Sequence, residues 1–124
     1  MKVTELMVGD FVLTPIGRIA KVFEISSIDN EIGVFFTPAD GDVFAPTELK
    51  PIPLTDSILL ANGWELIGDF ADYKYYRYGK IKDDVKYVKK SEIYVLRTIR
   101  FRYVHEFQHL LRLCDKEDLA ANLL

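Results

Sequence analysis

Turn-forming residues recur at intervals of about ten through the first fifty residues, and this spacing limits what the chain can fold into. The predicted breaks are 8–10, 15–17, 26–30 and 38–42. The apolar runs between these breaks are long enough for strands and too short for helices. Several short strands in so little chain predict a small barrel or a curled antiparallel sheet. We expect an SH3-like β-barrel subdomain over residues 1–50.

Pro51-Ile52-Pro53 ends this region, because two prolines within three residues hold the backbone extended and exclude a helix. Thr55 is a predicted helix N-cap, and Asp56 suits the positive end of a helix. Asn62-Gly63 is a typical stop, which predicts a short helix over about 55–62. Residues 51–124 are therefore expected to form a second, α+β subdomain.

The segment from about 65 to 101 predicts three or four antiparallel strands, with turns at Gly68-Asp69, Gly79-Lys80 and 89–91. Alternation along a strand places two sets of side chains on opposite faces: Tyr73, Tyr75 and Arg77 against Lys74, Tyr76 and Tyr78. We predict that residues 93–101 form one continuous last strand. Every second side chain of this strand is mostly apolar, and we expect this face to be buried: Ile93, Val95, Arg97, Ile99 and Phe101.

A C-terminal amphipathic helix is predicted over about 103–114. At 100° per residue its apolar side chains form one stripe: Val104, Phe107, Leu110, Leu111 and Cys114. Asp115 is expected to cap a short tail helix. The fold class predicted from these elements is α+β: a small N-terminal SH3-like barrel, a short helix, an antiparallel sheet and the C-terminal helix.

His105, Glu106 and His109 form an H-E-x-x-H sequence on that helix. In zinc peptidases this spacing lets two imidazoles bind one metal while the glutamate serves as general base, so a zinc-dependent hydrolase is an alternative function. Arg112 stands where one peptidase group needs a glycine turn before its third ligand, and few residues follow His109. We therefore expect both histidines on the solvated face of the helix, with no metal, cofactor or catalytic residue.

Charge is distributed unevenly. Residues 1–72 carry 4 basic and 12 acidic side chains, whereas residues 73–103 carry 10 basic and 3 acidic ones together with all seven tyrosines. Cations contact phosphates and tyrosine rings stack on bases, so single-stranded nucleic acid is one candidate partner. Net charges of −8 and +7 also favour a protein partner or self-association. The predicted contact surface consists of Tyr73, Tyr75, Arg77, Lys86, Arg97, Arg100 and Arg102.

No run of about 18 apolar residues is present, so no membrane span is expected. The chain does not start with a basic segment followed by an apolar one, and Cys114 is its one cysteine. These features predict a cytoplasmic protein.

Pro51-Ile52-Pro53-Leu54-Thr55 followed by Trp64-Glu65, the opening 5–10 and the helix 103–108 resemble a family of small proteins from Bacteroides-type bacteria and their phages or integrated elements. The resemblance implies no activity, cofactor or catalytic residue. It implies an accessory protein of a phage or mobile element. Our leading expectation is a non-enzymatic binding protein that acts through protein contacts, and the zinc hydrolase and the nucleic-acid binder are the alternatives.

Overall fold

The computed structural model describes residues 1–26, 29–37, 40–79 and 81–124. The turns predicted at 26–30, 38–42 and Gly79-Lys80 each include residues outside these ranges. The described chain forms two compact units, Met1–Ile52 and Pro53–Leu124. It is a mixed α+β protein with two antiparallel sheets, as the sequence predicts. None of the described helices combines the length and the apolar character needed to cross a membrane.

The first unit is a four-stranded antiparallel sheet in sequential order. Its strands are β1 (Phe11–Leu13), β2 (Ile19–Ser26), β3 (Glu31–Thr37) and β4 (Asp40–Phe44). Alternate side chains of these strands fill a small apolar core: Val12, Ala20, Val22, Ile32 and Val34, joined by Leu6 and Leu49. Burial of one face by period-2 alternation explains why this segment adopts strands.

The SH3-like barrel expected from the sequence is not confirmed, because no closed barrel is seen in the described part of this unit. Strands β1 and β4 are the two edges of the sheet, each paired with one neighbour. After a 3₁₀ turn at Pro46–Glu48, the chain returns to β1 at one bridge, where Leu13 and Lys50 exchange two backbone hydrogen bonds of 2.9 Å. A single bridge is too short to close the sheet, so β1 and β4 are not joined by a continuous ladder within the described residues.

The second unit begins with a short helix, α1 (Asp56–Ala61). Thr55 caps it as predicted, because its hydroxyl accepts a hydrogen bond of 3.3 Å from the Ile58 N–H. The predicted stop is also confirmed, since Gly63 takes the left-handed conformation with φ +85°. Leu59 and Trp64 are buried, and they anchor this segment in the core.

A five-stranded antiparallel sheet follows, with its strands in sequential order. The strands are β5 (Glu65–Asp69), β6 (Tyr73–Arg77), β7 (Val85–Val88), β8 (Ile93–Leu96) and β9 (Ile99–Phe101). One face, here called the helix-bearing face, is buried and includes Tyr76, Val85, Tyr94, Leu96 and Phe101. The opposite face, here called the open sheet face, carries Tyr73, Tyr75, Arg77, Lys86, Val88, Ile93, Val95 and Arg100.

The expected single last strand is wrong, and its predicted buried face is wrong for Ile93 and Val95. The chain turns at Arg97, which has φ +57°, and Leu96 pairs with Ile99 in a hairpin. The two-residue turn places Leu96 directly opposite Ile99, and paired residues share one face of a sheet. Tyr94 and Leu96 therefore point into the core together with Phe101, whereas Ile93 and Val95 lie on the open sheet face. Ile99 is 44% exposed, and of the predicted set Phe101 alone is buried.

The helix α2 (Val104–Leu113) covers the helix-bearing face with its apolar stripe. Phe107 is the centre of this packing, because its ring stacks on Phe101 at 5.3 Å and contacts Trp64 at 5.6 Å. The tail helix α3 (Glu117–Ala121) packs back on α2. Its N-cap is Lys116, so the predicted cap at Asp115 is wrong; Asp115 has φ +61° and lies in the turn between the helices.

Candidate functional site

The open sheet face brings together five of the seven residues predicted as a contact surface: Tyr73, Tyr75, Arg77, Lys86 and Arg100. Between the aromatic and basic side chains lie Val88, Ile93 and Val95, each half-buried. A shallow groove of about 470 Å³ runs over this face and is lined by Tyr73, Lys86 and Arg100 with these aliphatic residues. The arrangement combines apolar contact area with positive charge.

The arginine and lysine side chains of the predicted surface differ in whether an ion pair within the chain compensates their charge. Arg77 makes a two-pronged ion pair with Asp84, at 2.9 and 3.1 Å. Arg97 lies in the β8–β9 turn and binds Asp83 at 2.6 Å. Each partner carboxylate raises the pKa of its guanidinium, because it stabilises the charged form by a hydrogen bond and by Coulomb attraction. These two charges are already compensated within the chain.

Lys86 and Arg100 are the available cations of the groove. Within the described ranges, neither side chain forms an ion pair with a carboxylate. The Lys86 ammonium lies 4.9 Å from the centre of the Tyr73 ring in a cation–π contact. Tyr75 packs edge-on against Phe70 at 5.9 Å. Both tyrosine rings therefore have contacts inside the chain.

Arg102, the remaining predicted contact residue, is not on this face. It follows β9 and lines a separate cavity beside Pro53 and Tyr103. Arg102 is close to Arg100 in the sequence, but β9 ends at Phe101, between the two residues. The two side chains therefore belong to different surfaces.

Glu106, the glutamate of the H-E-x-x-H sequence, caps the start of α2. Glu106 is turned back toward the start of the helix, where one carboxylate oxygen accepts hydrogen bonds from the N–H groups of Arg102 (3.0 Å) and Tyr103 (3.1 Å). The carboxylate satisfies helix N-terminal donors and opposes the positive end of the helix dipole. This contact gives Glu106 a capping role that a sequence reading focused on metal ligation does not detect.

The expectation that both histidines are solvated is wrong for His105, which is 4% exposed. Its ring stacks on Tyr103 at 6.0 Å and meets the edge of His109 at 5.7 Å. The physical reason is that α2 is buried on more than its apolar stripe: Gln108 is fully buried and donates a hydrogen bond of 2.9 Å to the Ala120 carbonyl of α3. His109 is half-buried.

Metal ligation would need further groups beside these two imidazoles. In the part of the chain that the structure describes, no three His, Cys, Asp or Glu side chains converge in a way that could hold a metal ion. Structural zinc sites use four protein ligands and catalytic ones three. The described geometry therefore gives the zinc hydrolase no support.

A polar cluster that the sequence does not predict lies at the start of α1. Asp56 accepts hydrogen bonds from the Lys74 ammonium at 2.8 Å and from the Tyr94 hydroxyl at 3.1 Å. Burial by itself raises the pKa of Asp56, but hydrogen bonds from Lys74, Tyr76 and Tyr94 outweigh it, so the pKa lies below its ordinary value. Burial and the neighbouring Asp56 carboxylate both raise the pKa of Tyr76 and Tyr94. These tyrosines are therefore neutral donors, and the cluster fixes α1 to the sheet.

Comparisons of this chain with protein-family models, with curated proteins and with solved structures find no match.

Proposed function

We propose that this protein is a non-enzymatic binding module whose open sheet face contacts an acidic segment of a partner protein. One observation carries the proposal: Lys86 and Arg100 line the same groove as Val88, Ile93 and Val95. Interface cores combine buried apolar area with a few charged anchors, and arginine and tyrosine are enriched there. An acidic segment would compensate both cations while its apolar side chains cover the aliphatic ones.

The chain itself offers an occupant of this chemistry. Residues 1–72 of a second copy carry a net charge of −8, against +7 for residues 73–103. Self-association is therefore one form of the proposed contact, and it would weaken as salt screens the two charge sets.

Single-stranded nucleic acid is the second candidate occupant, since the open sheet face combines tyrosines with cations. The Lys86–Tyr73 and Phe70–Tyr75 contacts count against it, because these neighbours occupy positions that a stacked base would need. We therefore rank the protein contact first.

Two finer proposals accompany this function. We propose that the first unit belongs to the SH3-like architectures as a partly open barrel, supported by the 3₁₀ turn at Pro46–Glu48 and the Leu13–Lys50 bridge that starts to close the sheet. The resemblance of the 51–55 and 103–108 segments supports a role as a cytoplasmic accessory protein of a Bacteroides-type phage or integrated element.

The test is a titration of the ¹⁵N-labelled full chain, followed by backbone amide shifts. The probes are a peptide in which glutamate alternates with leucine, a single-stranded oligothymidylate, and the chain itself at rising concentration. We expect the peptide to shift resonances of β6, β7 and β8 on the open sheet face. Shifts there with the oligonucleotide but not with the peptide would replace the protein contact by nucleic-acid binding, and no shifts at this face with any probe would reject both.

A further inference from the structure

A second cavity, of about 620 Å³, lies at the start of α1 on the helix-bearing side of the sheet. Its volume is in the range of small-molecule sites. Three aromatic rings, Tyr87, Tyr94 and Tyr103, line it together with Pro53 and Leu54. The Tyr87 and Tyr94 rings pack against each other at 4.7 Å, which gives this wall a rigid apolar surface.

The charged side chains of the cavity wall differ in whether a neighbouring group compensates them. Asp56 is compensated, because its two carboxylate oxygens bind the Lys74 ammonium and the Tyr94 hydroxyl. Glu92 and Arg102 also line the cavity, and both are exposed. These two do not form an ion pair with each other, and within the described residues neither pairs with another charged side chain. The wall thus offers one available negative charge and one available positive charge.

The geometry points to a binding site for a small zwitterion, of the class of free amino acids or dipeptides, with an apolar side chain. A simple anion would meet Glu92 and Asp56, and a simple cation would meet Arg102, so either alone faces a like charge. A ligand that carries a carboxylate and an ammonium compensates both available groups. Arginine holds a carboxylate by paired N–H donors, and the tyrosine rings provide contact area for an apolar side chain.

The first experiment follows amide shifts of the ¹⁵N-labelled full chain with L-phenylalanine and glycyl-L-phenylalanine. N-acetyl-L-phenylalanine and L-phenylalaninamide serve as matched probes that lack one charge each. We expect both zwitterions to shift the resonances of 54–57, 87, 91–94 and 103. Each blocked probe should bind about fivefold more weakly, since partly exposed charge pairs contribute modestly.

The second experiment assigns the two roles with the Glu92→Gln and Arg102→Gln variants, and Lys90→Gln is the control because Lys90 is exposed and does not line the cavity. Arg102→Gln should abolish the preference for L-phenylalanine over its amide, and Glu92→Gln should abolish the preference over the N-acetyl form. Lys90→Gln should preserve both preferences. Equal affinity for zwitterionic and blocked probes, or no shift at millimolar ligand, would overturn the assignment.

Discussion

The two faces of the five-stranded sheet are built from the same strands and similar residues, but they differ in what covers them. On the helix-bearing face, Tyr76 and Tyr94 are 1% and 3% exposed, and the Tyr94 hydroxyl donates a hydrogen bond to Asp56. On the open sheet face, Tyr73 is 39% exposed and lies under the Lys86 ammonium. Position on the pleat, rather than residue type, decides which tyrosines stabilise the fold and which are available for contacts.

This difference predicts that substitutions on the two faces separate stability from binding. On the covered face, loss of a side chain leaves a cavity or an unpaired polar group, and the free energy of unfolding falls. On the open sheet face, neighbouring water replaces what is lost, so stability changes little while contacts with a partner change.

The largest expected effect is that of Phe107→Ala. The ring is fully buried between Phe101 and Trp64, and its removal should lower the free energy of unfolding by about 3–5 kcal/mol. Urea unfolding measured by circular dichroism checks this. Leu113→Ala on the same helix is the control, because Leu113 is 79% exposed and should cost less than about 0.5 kcal/mol. Similar midpoints for the two variants would show that α2 does not form the core of this unit.

Asp56→Asn should have the next largest effect, about 1 kcal/mol at neutral pH, because the Lys74–Asp56 pair is partly exposed and screened. It also has a pH dependence. The pKa of Asp56 in the folded protein lies below its ordinary value of 3.8, so the carboxylate stabilises the fold above that value, and this contribution is lost as the pH falls through the folded pKa.

Urea midpoints measured from pH 7 down to the acid range test this dependence. The wild type should lose stability more steeply below pH 3.8 than Asp56→Asn, and the two curves should converge in acid. Asp72→Asn, at an exposed position, should follow the wild type. A constant gap between wild type and Asp56→Asn at every pH would contradict the proposed ionic contribution.

Glu106→Ala should lower the free energy of unfolding by about 0.5–1 kcal/mol, because two N–H groups at the start of α2 lose their acceptor. Glu106→Gln, which keeps an acceptor oxygen, should cost less. Thermal unfolding with and without added zinc measures both. If zinc raised the melting temperature of the wild type and not that of a His109→Ala variant, metal ligation would replace capping as the role of this motif.

The smallest effect is expected for Arg97→Gln. Its ion pair with Asp83 is exposed at both ends, and such pairs contribute roughly 0–1 kcal/mol. The urea midpoint should stay within experimental error of the wild type. A loss as large as that of Glu106→Ala would show that the β8–β9 turn depends on this pair.

Local signals in the sequence predict part of this structure well. Thr55 and Gly63 bound α1 because a cap and a left-handed stop act within one turn of the helix. Alternation along β6 places Tyr73 and Tyr75 opposite Tyr76 for the same local reason. By contrast, the turn at Arg97 contains no glycine, proline, asparagine or aspartate, so the β8–β9 hairpin reads as one strand. The predicted buried face holds for β9, where Phe101 is buried, and is inverted for β8, where Ile93 and Val95 lie on the open sheet face.

The remaining features depend on contacts between distant residues. Asp56 meets Lys74 and Tyr94 across 18 and 38 positions of the chain, and no spacing rule links them. Burial of His105 depends on packing around α2 that a helical wheel does not represent. The wheel correctly predicts the apolar stripe and cannot predict that polar positions beside it are covered as well.

The central claim is that the open sheet face binds acidic protein segments through Lys86 and Arg100. The most direct measurement is the fluorescence anisotropy of a labelled glutamate–leucine peptide titrated with wild type, Arg100→Glu and Lys90→Glu. Both changes reverse one exposed charge, but of the two positions only Arg100 lines the groove. We expect Arg100→Glu to weaken binding about tenfold and Lys90→Glu at most about twofold. Equal losses for the two variants would show that binding depends on net charge alone and would contradict the account.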